Sequence, residues 1–171
     1  MHAWAVILAA GSGSRMSEAG LAERKQFLPL GGRPLYWASA RTLARVPRIA
    51  GLVLVFPPSE LDARSAELEN LLAAAPLGVP CRTAAGGERR QDSVAAALAA
   101  LPPDCAFVLV HDAARPFASA ALASRLLDAL EAGEEAAIPG IPLRDTVKRV
   151  VGGTVAETPA RADLVAVQTP Q

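Results

Sequence analysis

Four short apolar runs, Trp4 to Leu8, Leu52 to Phe56, Val79 to Thr83 and Phe107 to Val110, are rich in β-branched or aromatic residues. That is the composition of strands covered on both faces, as in a parallel sheet. Between them lie segments with helical spacing: Val94, Ala97, Leu98 and Leu101 form one apolar stripe, and Leu122, Leu126, Leu127 and Leu130 another. Turn-forming residues punctuate the alternation at Gly31-Gly32-Arg33-Pro34, Pro57-Pro58, Pro76, Gly86-Gly87, Pro102-Pro103 and Gly133. The βαβα order predicts an α/β fold, three-layer and Rossmann-like, with a mostly parallel sheet. With 171 residues, 51% of them apolar, one sizeable core is expected, and a single domain over residues 1–171.

After Ile138 the alternation stops. Asp145 to Val151 and Thr154 to Glu157, separated by Gly152-Gly153, predict two short strands around a tight turn, in an arm over about 142–163. The alanine-rich stretches at Ala95 to Ala100 and Ala118 to Ala123 keep leucines at core spacing, and alanine favours helix.

Several partner classes are disfavoured at once. Seventeen basic residues balance seventeen acidic ones, so no general field draws nucleic acid or an anionic membrane surface. The longest apolar stretches fall far short of the roughly 20 residues of a membrane span. No export signal precedes Gly11, and Cys81 and Cys105 have neither zinc-site nor disulfide-framework spacing. A reducing, cytoplasmic setting is expected.

The first segment with chemical potential is AVILAAGSGSRM, Ala5 to Met16, where an apolar strand runs directly into Ala9, Ala10, Gly11, Ser12, Gly13, Ser14 and Arg15. Glycines let backbone N–H groups approach phosphate oxygens, and Arg15 adds a planar, permanently charged fork. The segment lacks the signature of a P-loop, and Met16 stands where a dinucleotide fingerprint has its third glycine. The plain alternative is a tight connection. Ser14 to Arg24 is polar, without an apolar stripe, and predicts a mobile loop. Lys25, which follows it, is either a solvated lysine or a group that neutralises charge growing on a phosphate as pyrophosphate leaves.

The second segment is GGERRQDS, Gly86 to Ser93, at the start of a helix. Its glycines permit close contact with a flat base and Ser93 can bond base or sugar, whereas helix capping alone explains Asp92 and Ser93. The sequence does not separate Arg89 from Arg90; Arg90 is taken as the nucleotide contact. In the third, FVLVHDAARPF, Asp112 stands where a strand runs out, the position at which open α/β sheets bind ligands, and its carboxylate suits Mg²⁺ beside substrate phosphates. The alternative is a turn aspartate. His111 reads as a packed strand-end histidine. The fourth lies in the arm, where Arg144, Asp145, Thr146, Lys148, Arg149 and Arg161 form either an acceptor-phosphate site or a solvated basic face.

Taken together, Leu8 to Met16 with Lys25-Gln26, Gly86 to Ser93, HDAARP from His111 to Pro116, and RDTVKR from Arg144 to Arg149 followed by Thr169-Pro170-Gln171 resemble the 2-C-methyl-D-erythritol 4-phosphate cytidylyltransferase family of the non-mevalonate isoprenoid pathway. The resemblance spans the chain. It implies an Mg²⁺-dependent cytidylyltransferase that uses CTP and a small phosphorylated polyol and releases pyrophosphate. It also implies a homodimer whose arms reach into the partner's site. By position, Arg15 and Lys25 would stabilise the transition state, Asp112 would bind the metal, and Arg161 with Thr146 would hold methylerythritol phosphate. Gly11, Gly13, Gly86 and Ser93 would surround CTP, and Arg115 would lie near the acceptor. Two departures stand out: Arg24 occupies a position where relatives usually have proline, and the loop before it is longer. Relatives also continue past the Thr-Pro-Gln motif into a segment with a second substrate-positioning lysine and a Thr-Asp-Glu motif. The expectation is therefore a fragment, the front of a longer or two-enzyme polypeptide. The rivals are a ribitol 5-phosphate cytidylyltransferase and a non-catalytic nucleotide-binding module.

Overall fold

A computed structural model describes residues 2–11 and 23–171. Its frame is a four-stranded parallel sheet made of β1 (Ala3–Leu8), β4 (Ile49–Phe56), β5 (Cys81–Ala85) and β6 (Phe107–Asp112), in the order β5-β4-β1-β6. β1 pairs with β4 on one side and β6 on the other, in parallel register from Ala3↔Phe107 to Leu8↔Asp112. The strand order reverses between β1 and β6, the switch point at which open α/β sheets form their ligand crevice beyond the carboxyl ends of the strands.

Alternate residues of the strands feed two layers. Ala3, Ala5, Ile7, Leu52, Leu54, Phe56 and Leu109 face α1 (Leu35–Ala44), α2 (Leu61–Ala74) and α4 (Ala120–Glu131), through Tyr36, Trp37, Leu43, Leu68, Leu126 and Leu127. Trp4, Val6, Val53 and Val55 face the other way, against Ala97 of α3 (Arg90–Ala99). A Cβ on Gly51 would stand 2.5 Å from the Trp4 ring, so glycine there leaves the space that the indole fills.

The architecture is the α/β arrangement expected, with differences in detail. The third strand begins at Cys81 rather than Val79, because Gly78 turns the chain at φ 77° and Pro80 has no N–H to give a ladder. On α3 the inward face is Ser93 and Ala97, while Leu98 is 47% exposed. Successive residues are about 100° apart around a helix, so with Ala97 against the sheet Leu98 turns away from it. Between β1 and α1, a two-residue hairpin joins β2 (Pro29–Leu30) to β3 (Arg33–Pro34). No described helix is long and apolar enough to cross a membrane.

Beyond α4 the arm is bracketed by β7 (Gly140–Pro142) and β10 (Val165–Val167), which pair antiparallel. Inside it, β8 (Arg149–Val151) pairs with β9 (Thr154–Glu157) around Gly152-Gly153, both at positive φ. The first hairpin strand starts at Arg149, not Asp145. Continuing the ladder would set it against Pro159, which lacks an N–H; instead the Lys148 ammonium donates to the Thr158 hydroxyl at 2.7 Å.

Candidate functional site

The glycine-rich segment leaves β1 under restraint. The Ala9 N–H donates to the Val55 carbonyl at 2.8 Å, and the Gln26 side-chain amide donates to the carbonyls of Ala9 at 2.8 Å and Gly11 at 2.9 Å. Ser12, Gly13 and Arg15 lie outside the described residues, as does most of the expected loop. Its last two positions, Glu23 and Arg24, form ion pairs with Arg64 at 3.0 Å and Glu60 at 3.6 Å. Lys25 opens a single 3-10 turn, Lys25–Phe27, and is exposed, while its neighbours Gln26 and Phe27 are buried. The Phe27 ring sits 6.1 Å from Tyr36 and 6.2 Å from Phe56, with the Arg64 guanidinium 3.7 Å over it.

The second segment abuts the first. The Gly86 N–H donates to the Phe56 carbonyl at 2.8 Å, and a Cβ on Gly86 would stand 2.3 Å from Cβ of Ala10 and 3.0 Å from Oγ of Ser93. Close approach, not an unusual φ, is what requires glycine. Buried Ser93 accepts from the Gly87 N–H at 3.1 Å, tying the glycines to the helix start. The structure separates the two arginines. Arg89 bonds Asp92 at 2.8 and 3.0 Å and holds that carboxyl below its ordinary range. Arg90 instead reaches Asp112, with Nε 3.3 Å and Nη2 3.2 Å from Oδ1.

Asp112, the last residue of β6, also faces Nε of Arg115 at 3.6 Å, and the Arg115 guanidinium donates to Oε1 of Gln168 at 2.6 Å. Behind it His111 is fully buried. Its Nε2 lies 3.1 Å from the Arg115 carbonyl, which can only accept, so Nε2 carries the proton. Nδ1 then accepts from the Thr169 hydroxyl at 3.0 Å, and the Thr169 oxygen accepts from the Asp112 N–H at 3.3 Å. Burial pushes the imidazole's pKa down. Gln171 pairs through its backbone with Val110, at 2.7 and 2.9 Å, so the Thr-Pro-Gln motif lies along β6.

Ala9 to Gly11, Lys25, Gly86 to Ser93 and Asp112 to Arg115 thus gather at one end of the sheet. No hydrogen bond or ion pair among the described residues joins the arm's basic side chains to them. Among the described residues, Arg161 donates to the Arg144 carbonyl and Arg149 pairs with Glu157 at 2.8 Å, and Thr146 is exposed.

The family model of 2-C-methyl-D-erythritol 4-phosphate cytidylyltransferase matches residues 3–171. The chain belongs to that family. A bifunctional enzyme IspD/IspF from Nitratidesulfovibrio vulgaris is 57% identical over 171 residues, covering 100% of this chain and 43% of its own. A 2-C-methyl-D-erythritol 4-phosphate cytidylyltransferase from Corynebacterium efficiens is 41% identical over 168 residues, covering 98% of this chain and 66% of its own. The crystal structure of 4-diphosphocytidyl-2C-methyl-D-erythritol synthase from Anaerococcus prevotii superposes with a TM-score of 0.79 at 30% identity, over 99% of this chain and 69% of that one. The chain therefore spans less than half of the bifunctional relative.

In this member of the cytidylyltransferase family, the sequence motifs contain Gln26 and Thr169 but gave them no role; His111 is packed at the strand end as expected, and it also bonds Arg115 and Thr169. Gln26 and Thr169 act through backbone groups distant in sequence, those of Ala9, Gly11 and Asp112, and the available signal was a polar residue within a motif. For a divalent cation, the described residues hold no cluster of three or more His, Cys, Asp or Glu side chains. A lone carboxylate at a strand end fits Mg²⁺, which keeps several waters and takes substrate phosphates as further ligands. Asp112, its side chain 34% exposed, has that chemistry.

Proposed function

We propose that the chain carries the nucleotide half of a cytidylyltransferase site, joining CTP to 2-C-methyl-D-erythritol 4-phosphate with release of pyrophosphate. The observation that carries this reading is the abutment of Gly86 on Ala10 beside the Arg90 and Asp112 pair, which brings three separated motifs of the family into one crevice. The names of the relatives support the choice of CTP and methylerythritol phosphate.

A phosphate oxygen of the acceptor attacks the α-phosphorus of CTP in line. The new P–O bond forms as the bond to the bridging oxygen breaks, and pyrophosphate leaves with that electron pair. Lys25, with Arg15, spreads the charge that develops, and no covalent enzyme intermediate is required. Ala9, Ala10, Gly11, Ser12 and Gly13 receive the triphosphate, while Gly86, Arg90 and Ser93 receive base and sugar. Asp112 would hold Mg²⁺, which when bound draws charge from the phosphate oxygens. Arg115 lies toward the acceptor.

Thr146 and Arg161 stand on an exposed arm whose Val150, Val151 and Val155 are 56%, 60% and 56% exposed. A homodimer in which each arm completes the partner's site gives those valines a covering surface and the arm's cations an acceptor phosphate. Two free thiols, Cys81 and Cys105, suit a reducing cytoplasm.

The test is pyrophosphate release from CTP and Mg²⁺ with methylerythritol 4-phosphate or ribitol 5-phosphate, beside calorimetric titration of CTP. Release with the first acceptor is the expected result. Release only with the second reassigns the acceptor, and CTP binding without release with either identifies a binding module.

A further inference from the structure

Gln26 carries a buried side-chain amide, 6% exposed, and both of its N–H protons are committed to backbone carbonyls, those of Ala9 and Gly11 on either side of Ala10. Buried carbonyls require donors, yet a donor from elsewhere in the core would serve that need as well. What distinguishes this one is its position. Gln26 directly follows Lys25, so one side chain ties the strand-end segment to the turn that presents the ammonium.

Two consequences follow from peptide geometry. In a trans peptide the carbonyl and the next N–H point in opposite directions, so an Ala9 carbonyl turned to Gln26 sends the Ala10 N–H away from it. Lys25 is in turn followed by two anchored residues, Gln26 on the segment and Phe27 among the rings of Tyr36 and Phe56 under the Arg64 guanidinium. Only an uncharged side chain with two donors on one nitrogen meets both carbonyls without adding charge, and a carboxylate, which only accepts, would repel them.

We propose that Gln26 is a positioning residue for the nucleotide, fixing Lys25 relative to the Ala9–Gly11 backbone so that the ammonium and the backbone donors meet one polyphosphate. This rests on the reading of the crevice as a CTP site. Gln26 touches no reacting atom; it acts through Lys25 and the backbone.

A double-mutant cycle on CTP affinity, measured by calorimetry with Mg²⁺, tests it. Gln26→Met keeps the volume and removes the donors, and is expected to weaken CTP binding about tenfold. In a Lys25→Ala background the same change should cost clearly less, about threefold or below, because one of the two groups it aligns is gone. Gln26→Glu supplies a variant with built-in rescue. Its ionised carboxylate cannot donate, but burial against two carbonyls pushes the carboxyl's pKa up, and its protonated form donates to one of them. CTP affinity relative to wild type should therefore recover from about pH 8 to about pH 5, and Gln26→Met should show no recovery. Independent, multiplying losses in the double variant overturn the proposal, as does an unchanged affinity in Gln26→Met. A pH-independent ratio for Gln26→Glu overturns it too, and decides the matter if Gln26→Met does not fold. Failure of the wild-type chain to bind CTP instead overturns the reading of the site, and the proposal with it.

Discussion

The Arg90 guanidinium stands 3.2 Å from Oδ1 of Asp112, so the first residue of α3 is linked to the last residue of β6 across the mouth of the crevice. Both side chains are partly exposed, 50% for Arg90 and 34% for Asp112, and pairs of that kind contribute about 0–1 kcal/mol to stability. Arg90→Gln should leave thermal unfolding close to wild type. If Arg90 contacts the nucleotide, CTP affinity should fall roughly tenfold, a loss of about 1.4 kcal/mol. Equal affinity in a calorimetric titration would remove Arg90 from the site.

Gly86→Ala tests the contact between the first two motifs. The added Cβ would meet the Ala10 Cβ at 2.3 Å, and alanine has no flexible end that can move aside. One strand-end backbone must shift, at a cost of about 1–3 kcal/mol, visible as a lower urea midpoint. A wild-type midpoint would mean that the approach of the two loops is looser than the geometry states.

Lys25→Ala separates chemistry from packing. The lysine is exposed on a turn whose anchors are its neighbours, so stability should change by less than about 0.5 kcal/mol. Pyrophosphate release should drop by at least about a hundredfold if the ammonium stabilises the transferring phosphate. Unchanged release would refute the assignment.

The buried His111 predicts an acid-side loss of stability. Its folded pKa is depressed by burial, so in the window below the ordinary value of 6.5 the unfolded chain binds more protons than the folded one. Its contribution is fully present above 6.5 and declines as pH falls toward the depressed value, where Nδ1 gains a proton and no longer accepts from Thr169. Urea unfolding at pH 7.5 and about pH 5.5, for wild type and His111→Gln, isolates the effect. An identical pH dependence in the two proteins would show that His111 does not carry it.

Much of the frame was legible because burial on both faces of a parallel sheet selects the apolar, β-branched runs seen at Trp4 to Leu8 and Leu52 to Phe56. Gly152-Gly153 was legible as a turn for the same local reason, since the backbone there needs positive φ. Leu98 and the start of the arm's first strand were not. The first depends on which face α3 turns to the sheet, and the second on which residue faces Pro159 across the ladder.

By itself, then, the sequence determined the existence of the four sheet strands and the arm's hairpin, the turns between them and the chemical character of each motif, because these follow from local propensity and from the period of burial. Tertiary structure alone decided how the motifs combine. Arg89 and Arg90 are identical and adjacent, and one faces Asp92 in its own turn while the other faces Asp112 on a strand. Gln26, beside the lysine of one motif, donates to carbonyls of another. Such pairings depend on distances between elements far apart in the chain, which helix spacing and strand alternation do not encode.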